Sequence, residues 1–128
     1  MRKIKRTELD RILRREAVEI AFIRRRPERA QGRPFLRRML CTNSMEILNS
    51  EQGIRRLNFH KPRGGKKLNE KLHNIVVVWD IIMQDYRNVA VEACFLIEQK
   101  AEPDFWEYFE KKFGSMGASE KMEWQDSI

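Results

Sequence analysis

Residues Ile75 to Met83, IVVVWDIIM, carry a single charge, at Asp80. The run is β-branched and apolar on both faces, which predicts a central strand. A turn is expected at Gln84 and Asp85, followed by a second strand over Tyr86–Val91 (YRNVAV). Glu92 and Ala93 interrupt it, and Cys94–Gln99 (CFLIEQ) reads as a third strand. Three short strands at this spacing indicate a meander from a small barrel.

Upstream, TELDRILRRE (residues 7–16) reads as a helix. Thr7 is the expected N-cap, with Asp10 at the capping-box position. Leu9, Ile12 and Leu13 form its apolar stripe, with Arg11, Arg14 and Arg15 on the wet side. A helix this short needs a partner to cover that stripe. The period then changes: Val18, Ile20 and Phe22 alternate with Glu19, Ala21 and Ile23, as in a strand. PERAQGRP breaks it at Pro27, Gly32 and Pro34, and Phe35–Thr42 (FLRRMLCT) returns. The pair makes a hairpin with a long arginine-studded loop.

Residues 43–72 are less periodic. NSMEILN predicts one helical turn starting at Asn43 or Ser44. The stretch that follows, residues 50–72, reads as an irregular basic loop, and a loop of this length in a small domain is usually functional or disordered. The last predicted helix begins at Pro103 and stops at Gly114. Asp104 and Glu107 suit its N-terminal end, and Lys111 and Lys112 its C-terminal end. Phe105, Trp106, Phe109 and Phe113 form an aromatic stripe, and SEKMEWQDSI adds a further turn carrying Met122 and Trp124.

The expected fold class is therefore α+β: a five-stranded SH3-like or Sm-like barrel with a helix at each end. Its length of 128 residues fits one domain. The parts are an N-terminal helix (1–16), the barrel (17–99) and a C-terminal helical extension (100–128). Closing the sheet would remove its exposed edges.

Charge divides the chain. Residues 1–73 hold 21 Lys and Arg against 8 Asp and Glu, whereas residues 74–128 hold 5 against 11. A polarised chain of this kind is expected to turn one surface toward an anion. No apolar run approaches the roughly 20 residues that span a bilayer. No apolar segment follows the basic N-terminus, so a secretory signal is not expected and a cytoplasmic location is. Cys41 and Cys94 lie far apart in apolar stretches and read as buried thiols. His60 and His73 complete no metal-ligand spacing. No catalytic constellation is visible, so the chain reads as a non-enzyme with no cofactor and no metal.

Two segments are candidates for phosphate contact. Arg24, Arg25, Arg26, Arg29, Arg33, Arg37 and Arg38 cluster around the first hairpin, and arginine's planar fork suits phosphate. The alternative is a solvated strand edge. Phe59, His60, Lys61, Arg63, Lys66 and Lys67 lie in NFHKPRGGKK, where basic groups interleave with rings able to stack on bases. The alternative there is a mobile basic loop. Trp79 and Tyr86 offer a stacking platform or, more commonly, cross-strand packing. Phe105, Trp106, Phe109 and Phe113 either cap the barrel or dock a protein.

Trp79, Asp80, Tyr86, Arg87, Val89, Val91, Glu92 and Phe95–Ile97, together with RRMLCTN upstream, resemble a phage protein family of Sm-like or SH3-type barrels related to WYL domains. The likeness spans residues 18–99. It implies a small barrel, phage-encoded, in a class that often binds or regulates nucleic acid. The basic insert and the aromatic C-terminal helix depart from that short pattern. The expected function is a non-catalytic nucleic-acid-binding module, RNA or DNA being undetermined. The alternative is an adaptor or inhibitor that engages a host or virion protein through the barrel or the acidic C-terminal helix.

Overall fold

The computed structural model describes residues 1–23, 35–61, 70, 71, 73–101 and 104–127. Its elements are β1 (Arg2–Lys3), α1 (Arg6–Leu13), β2 (Glu16–Ile23), β3 (Leu36–Thr42), α2 (Met45–Leu48) and α3 (Glu51–Arg56). Then come β4 (Ile75–Asp80), β5 (Asp85–Ala90), a 3-10 turn (Val91–Ala93), β6 (Cys94–Ala101), α4 (Asp104–Phe113) and α5 (Ala118–Gln125). The class is α+β, as the sequence predicts. The six strands form one antiparallel sheet in the order β1-β6-β2-β3-β4-β5.

The sheet is open, which corrects the expectation of a closed five-stranded barrel. No strand pairing joins β5 to β1 or β6 among the described residues. Closure is not needed to bury the apolar side chains, because both faces are already covered. On one face, Val18, Ile20, Met39, Cys41, Val76, Val78, Val89 and Leu96 pack with Leu9, Ile12 and Leu13 of α1. On the other, Ala17, Leu40 and Trp79 pack with Ile47, Leu48 and Leu57 and with Phe105, Phe113 and Trp124 from α4 and α5. The alternation along β2 and β4 feeds successive side chains to these two layers.

Several boundaries differ from expectation for local reasons. The N-cap of α1 is Lys5, without a side-chain hydrogen bond, and not Thr7. Asp10 forms no capping box; its carboxylate lies 3.6 Å from Arg6 Nε one turn earlier. The expected strand over 75–83 stops at Asp80. There Oδ1 accepts the amides of Ile82 (3.1 Å) and Met83 (3.0 Å), folding Ile81 and Ile82 into a buried turn. Gln84 completes that turn with φ 56°.

The irregular reading of 50–72 is also corrected at its start. Ser50 caps α3, with Oγ accepting the Gly53 amide at 2.9 Å. Gly53 lies against the preceding turn: a Cβ there would fall 2.0 Å from the Ile47 carbonyl oxygen. The helical turn expected from Asn43 or Ser44 is present as α2, starting at Met45 with the Ser44 side chain as its cap. The tail forms α5, a longer helix than the single turn expected.

Candidate nucleic-acid interface

Of the hairpin arginines, Arg24, Arg25, Arg26, Arg29 and Arg33 lie outside the described residues. Arg37 and Arg38 do not, and both are engaged within the protein. Arg37 Nη2 sits 3.3 Å from Oδ2 of Asp80, a carboxylate with no exposed surface, and its guanidinium lies 5.6 Å from the Phe22 ring centroid. Burial pushes the Asp80 carboxyl above its ordinary value, outweighing the two amide donors and the Arg37 charge that pull it down. Arg38 Nε lies 3.4 Å from Glu19, which is 3% exposed. The Arg38 guanidinium also covers the Trp124 ring at 5.8 Å. Lys112 approaches the same Glu19 carboxylate at 3.8 Å. These two arginines tie β3 to the turn after β4 and to α5.

In the second candidate segment, Arg63, Lys66 and Lys67 lie outside the described residues. Phe59, His60 and Lys61 are described. Phe59 and His60 meet the Trp79 ring edge-on at 5.5 and 5.1 Å, and Trp79 meets Tyr86 at 4.9 Å. The Tyr86 hydroxyl donates to the His60 carbonyl at 2.9 Å. Trp79 is fully buried, so this cluster is packing and not an open platform. It pins the chain beside β5 and leaves Lys61 exposed at its end.

The aromatic stripe of α4 turns mostly inward. Phe105 and Phe113 are buried, and Trp106 and Phe109 are half-buried beneath the Arg56 guanidinium, 5.4 and 5.5 Å from their rings. Arg56 also pairs with Glu110. These four residues therefore fasten α4 to α3 and the sheet.

A cluster of exposed cations lies elsewhere. Arg11, Arg14 and Arg15 stand at i, i+3 and i+4 around the C-terminal end of α1, all exposed, and Lys71 is exposed nearby. None of their side chains joins a salt bridge among the described residues. They border two clefts that share Asp10 and Arg14. The larger, about 600 Å³, lies between α1, the Asn43–Met45 segment, Glu70, Lys71 and the start of β4. The smaller, about 300 Å³, runs along α1 past Arg11 and Arg15.

Internal bonds brace the floor of the larger cleft. Arg6 donates to the carbonyls of Glu70 (3.1 Å) and Ile75 (2.7 Å). Glu70 Oε1 accepts the Val77 amide at 3.0 Å, and the Asn43 side-chain amide donates to the Val77 carbonyl at 2.9 Å. The sequence signal for this surface was the arginine spacing on the wet face of the first helix. What it lacked was the neighbour, since Lys71 and Asn43 reach α1 only through the tertiary fold.

No group of three or more His, Cys, Asp or Glu side chains that could hold a metal occurs among the described residues. Among the same residues, no helix is long and apolar enough to cross a membrane. Comparison with family profiles, with curated protein sequences and with solved structures gave no match to this chain.

Proposed function

We propose that this chain is a non-catalytic nucleic-acid-binding module whose α1 surface contacts phosphates. The carrying observation is a cluster of exposed cations, Arg11, Arg14, Arg15 and Lys71, without salt-bridge partners among the described residues and grouped around two adjoining clefts. Phosphate contact needs cations that are not already spent on internal carboxylates, and this separates them from Arg37 and Arg38. We read the strands β6-β2-β3-β4-β5 and the 3-10 turn before β6 as an SH3- or Sm-type sheet left open, with a regulatory, phage-type role following from that likeness. The adaptor reading ranks second, because Phe105 and Phe113, half of its proposed docking stripe, are buried.

The test is a salt titration of binding to oligonucleotides, with the triple variant Arg11→Glu, Arg14→Glu, Arg15→Glu beside the native chain. Native affinity falls steeply with salt, and the variant loses about 2 units of the log–log slope, at 0.7–0.9 per phosphate contact. Undetectable binding at low salt, with the native protein folded, would sink the proposal.

A further inference from the structure

We propose that the larger cleft accepts an unstacked base, so that the ligand of this surface is a single strand and not a duplex. This rests on the nucleic-acid reading above and specifies its substrate. A protein that reads a duplex directly inserts a protruding helix or ribbon into a groove. Here the surface between α1 and β4 is a depression of about 600 Å³, within the range of sites that enclose a small organic group. A depression receives a group that protrudes from the nucleic acid, and in a single strand that group is a splayed base.

The lining has the chemistry of such a site. Arg14 and Lys71 stand exposed at its border, placed for the flanking phosphates. Asp10 and Glu70 also line it, and carboxylates there would repel a bare phosphate. Asp10 Oδ2 faces Arg6 and Glu70 Oε1 accepts the Val77 amide, which leaves the second oxygen of each to accept from the N–H donors of a base edge, as an acidic side chain accepts from the cytosine amino group. Met45, 57% exposed, and Val77 add apolar surface for the base face. A site for phosphate alone would explain Arg14 and Lys71 but not the exposed methionine.

The experiment measures fluorescence anisotropy with short labelled homopolymers, oligo(dC), oligo(rC) and oligo(dT), and with a duplex of equal length. The native protein binds single strands at least about tenfold more tightly than the duplex, and prefers cytosine to thymine. Met45→Ala weakens oligo(dC) by about three- to tenfold, the scale of a lost base contact. Asp10→Asn flattens the preference for cytosine over thymine. Both variants stay folded, and Met45→Ala keeps the native duplex affinity. The rC and dC arms distinguish RNA from DNA as the source of the strand. If the duplex binds as tightly as single strands, the cleft inference fails. It also fails if both variants bind oligo(dC) as the native chain does. In either case the proposed function survives, provided the triple arginine reversal lowers the salt slope by about 2 units, at 0.7–0.9 per phosphate contact. If no oligonucleotide binds at all, both fail.

Discussion

Replacing Asp80 by alanine tests whether Arg37 and its carboxylate serve the fold. Asp80 has no exposed surface, accepts two backbone amides at 3.1 and 3.0 Å, and faces the Arg37 guanidinium at 3.3 Å. Alanine leaves the Ile82 and Met83 amides without their acceptor, at about 1–3 kcal/mol each. It also removes the carboxylate facing a largely buried guanidinium. The two amides alone put the loss at about 2–6 kcal/mol. Urea denaturation at neutral pH reads it as a lower midpoint with an unchanged slope. A loss below about 1 kcal/mol would refute the assignment of these contacts as the clasp between β3 and β4.

The same site has a pH signature of opposite sense to most carboxylates. Burial raises the Asp80 carboxyl above its ordinary value near 3.8, so ionising it costs more in the folded chain than in the unfolded one. A raised folded value means a contribution present at low pH and lost as pH rises through that value. The stability of the native chain relative to Asp80→Asn therefore increases as pH falls toward the ordinary carboxylate range. Oligonucleotide affinity of the folded Asn variant stays native, since Arg37 belongs to the fold.

Two further outcomes follow from packing. Gly53→Ala places a Cβ 2.0 Å from the Ile47 oxygen and 2.5 Å from the Leu48 oxygen, both backbone atoms with little freedom to move. It lowers stability by about 1–3 kcal/mol or more, as overpacking does, and an unchanged melting temperature would show that the α2–α3 turn opens freely. Cys41 and Cys94 are buried, and burial holds the Cys94 thiol up at about 11 and raises Cys41 well above its ordinary value. A thiol reagent at mildly alkaline pH should label both only as fast as the protein unfolds, and rapid labelling of the native chain contradicts their place in the core.

Much of the strand framework was legible in the sequence. Period-two alternation marks Val18–Phe22, and β-branched density marks Ile75–Asp80, because a strand shows its faces in local spacing. β1 was not legible, since two residues carry no period and pair with Leu96 and Phe95 only after β6 is in place. Glu19 illustrates the same limit. Its position in an alternating strand suggests a wet face, yet α4 and α5 cover that face and bury it beside Arg38 and Lys112. The arginine count, likewise, did not distinguish Arg37 and Arg38, held by internal carboxylates, from Arg11, Arg14 and Arg15, which have no salt-bridge partner among the described residues.

By itself, the sequence determined the α+β class, the positions of the five longer strands, the polarity of charge and the apolar faces of α1 and α4. Each of these is written in residue types and short-range spacing. Tertiary structure alone decided that the sheet stays open, which cations remain exposed, and that α1, Asn43, Glu70 and Lys71 enclose one cleft. Those outcomes depend on pairings between residues dozens of positions apart. The physical reason is that a buried partner cancels a charge and a covering helix reverses a face, and no local pattern records which partner will arrive.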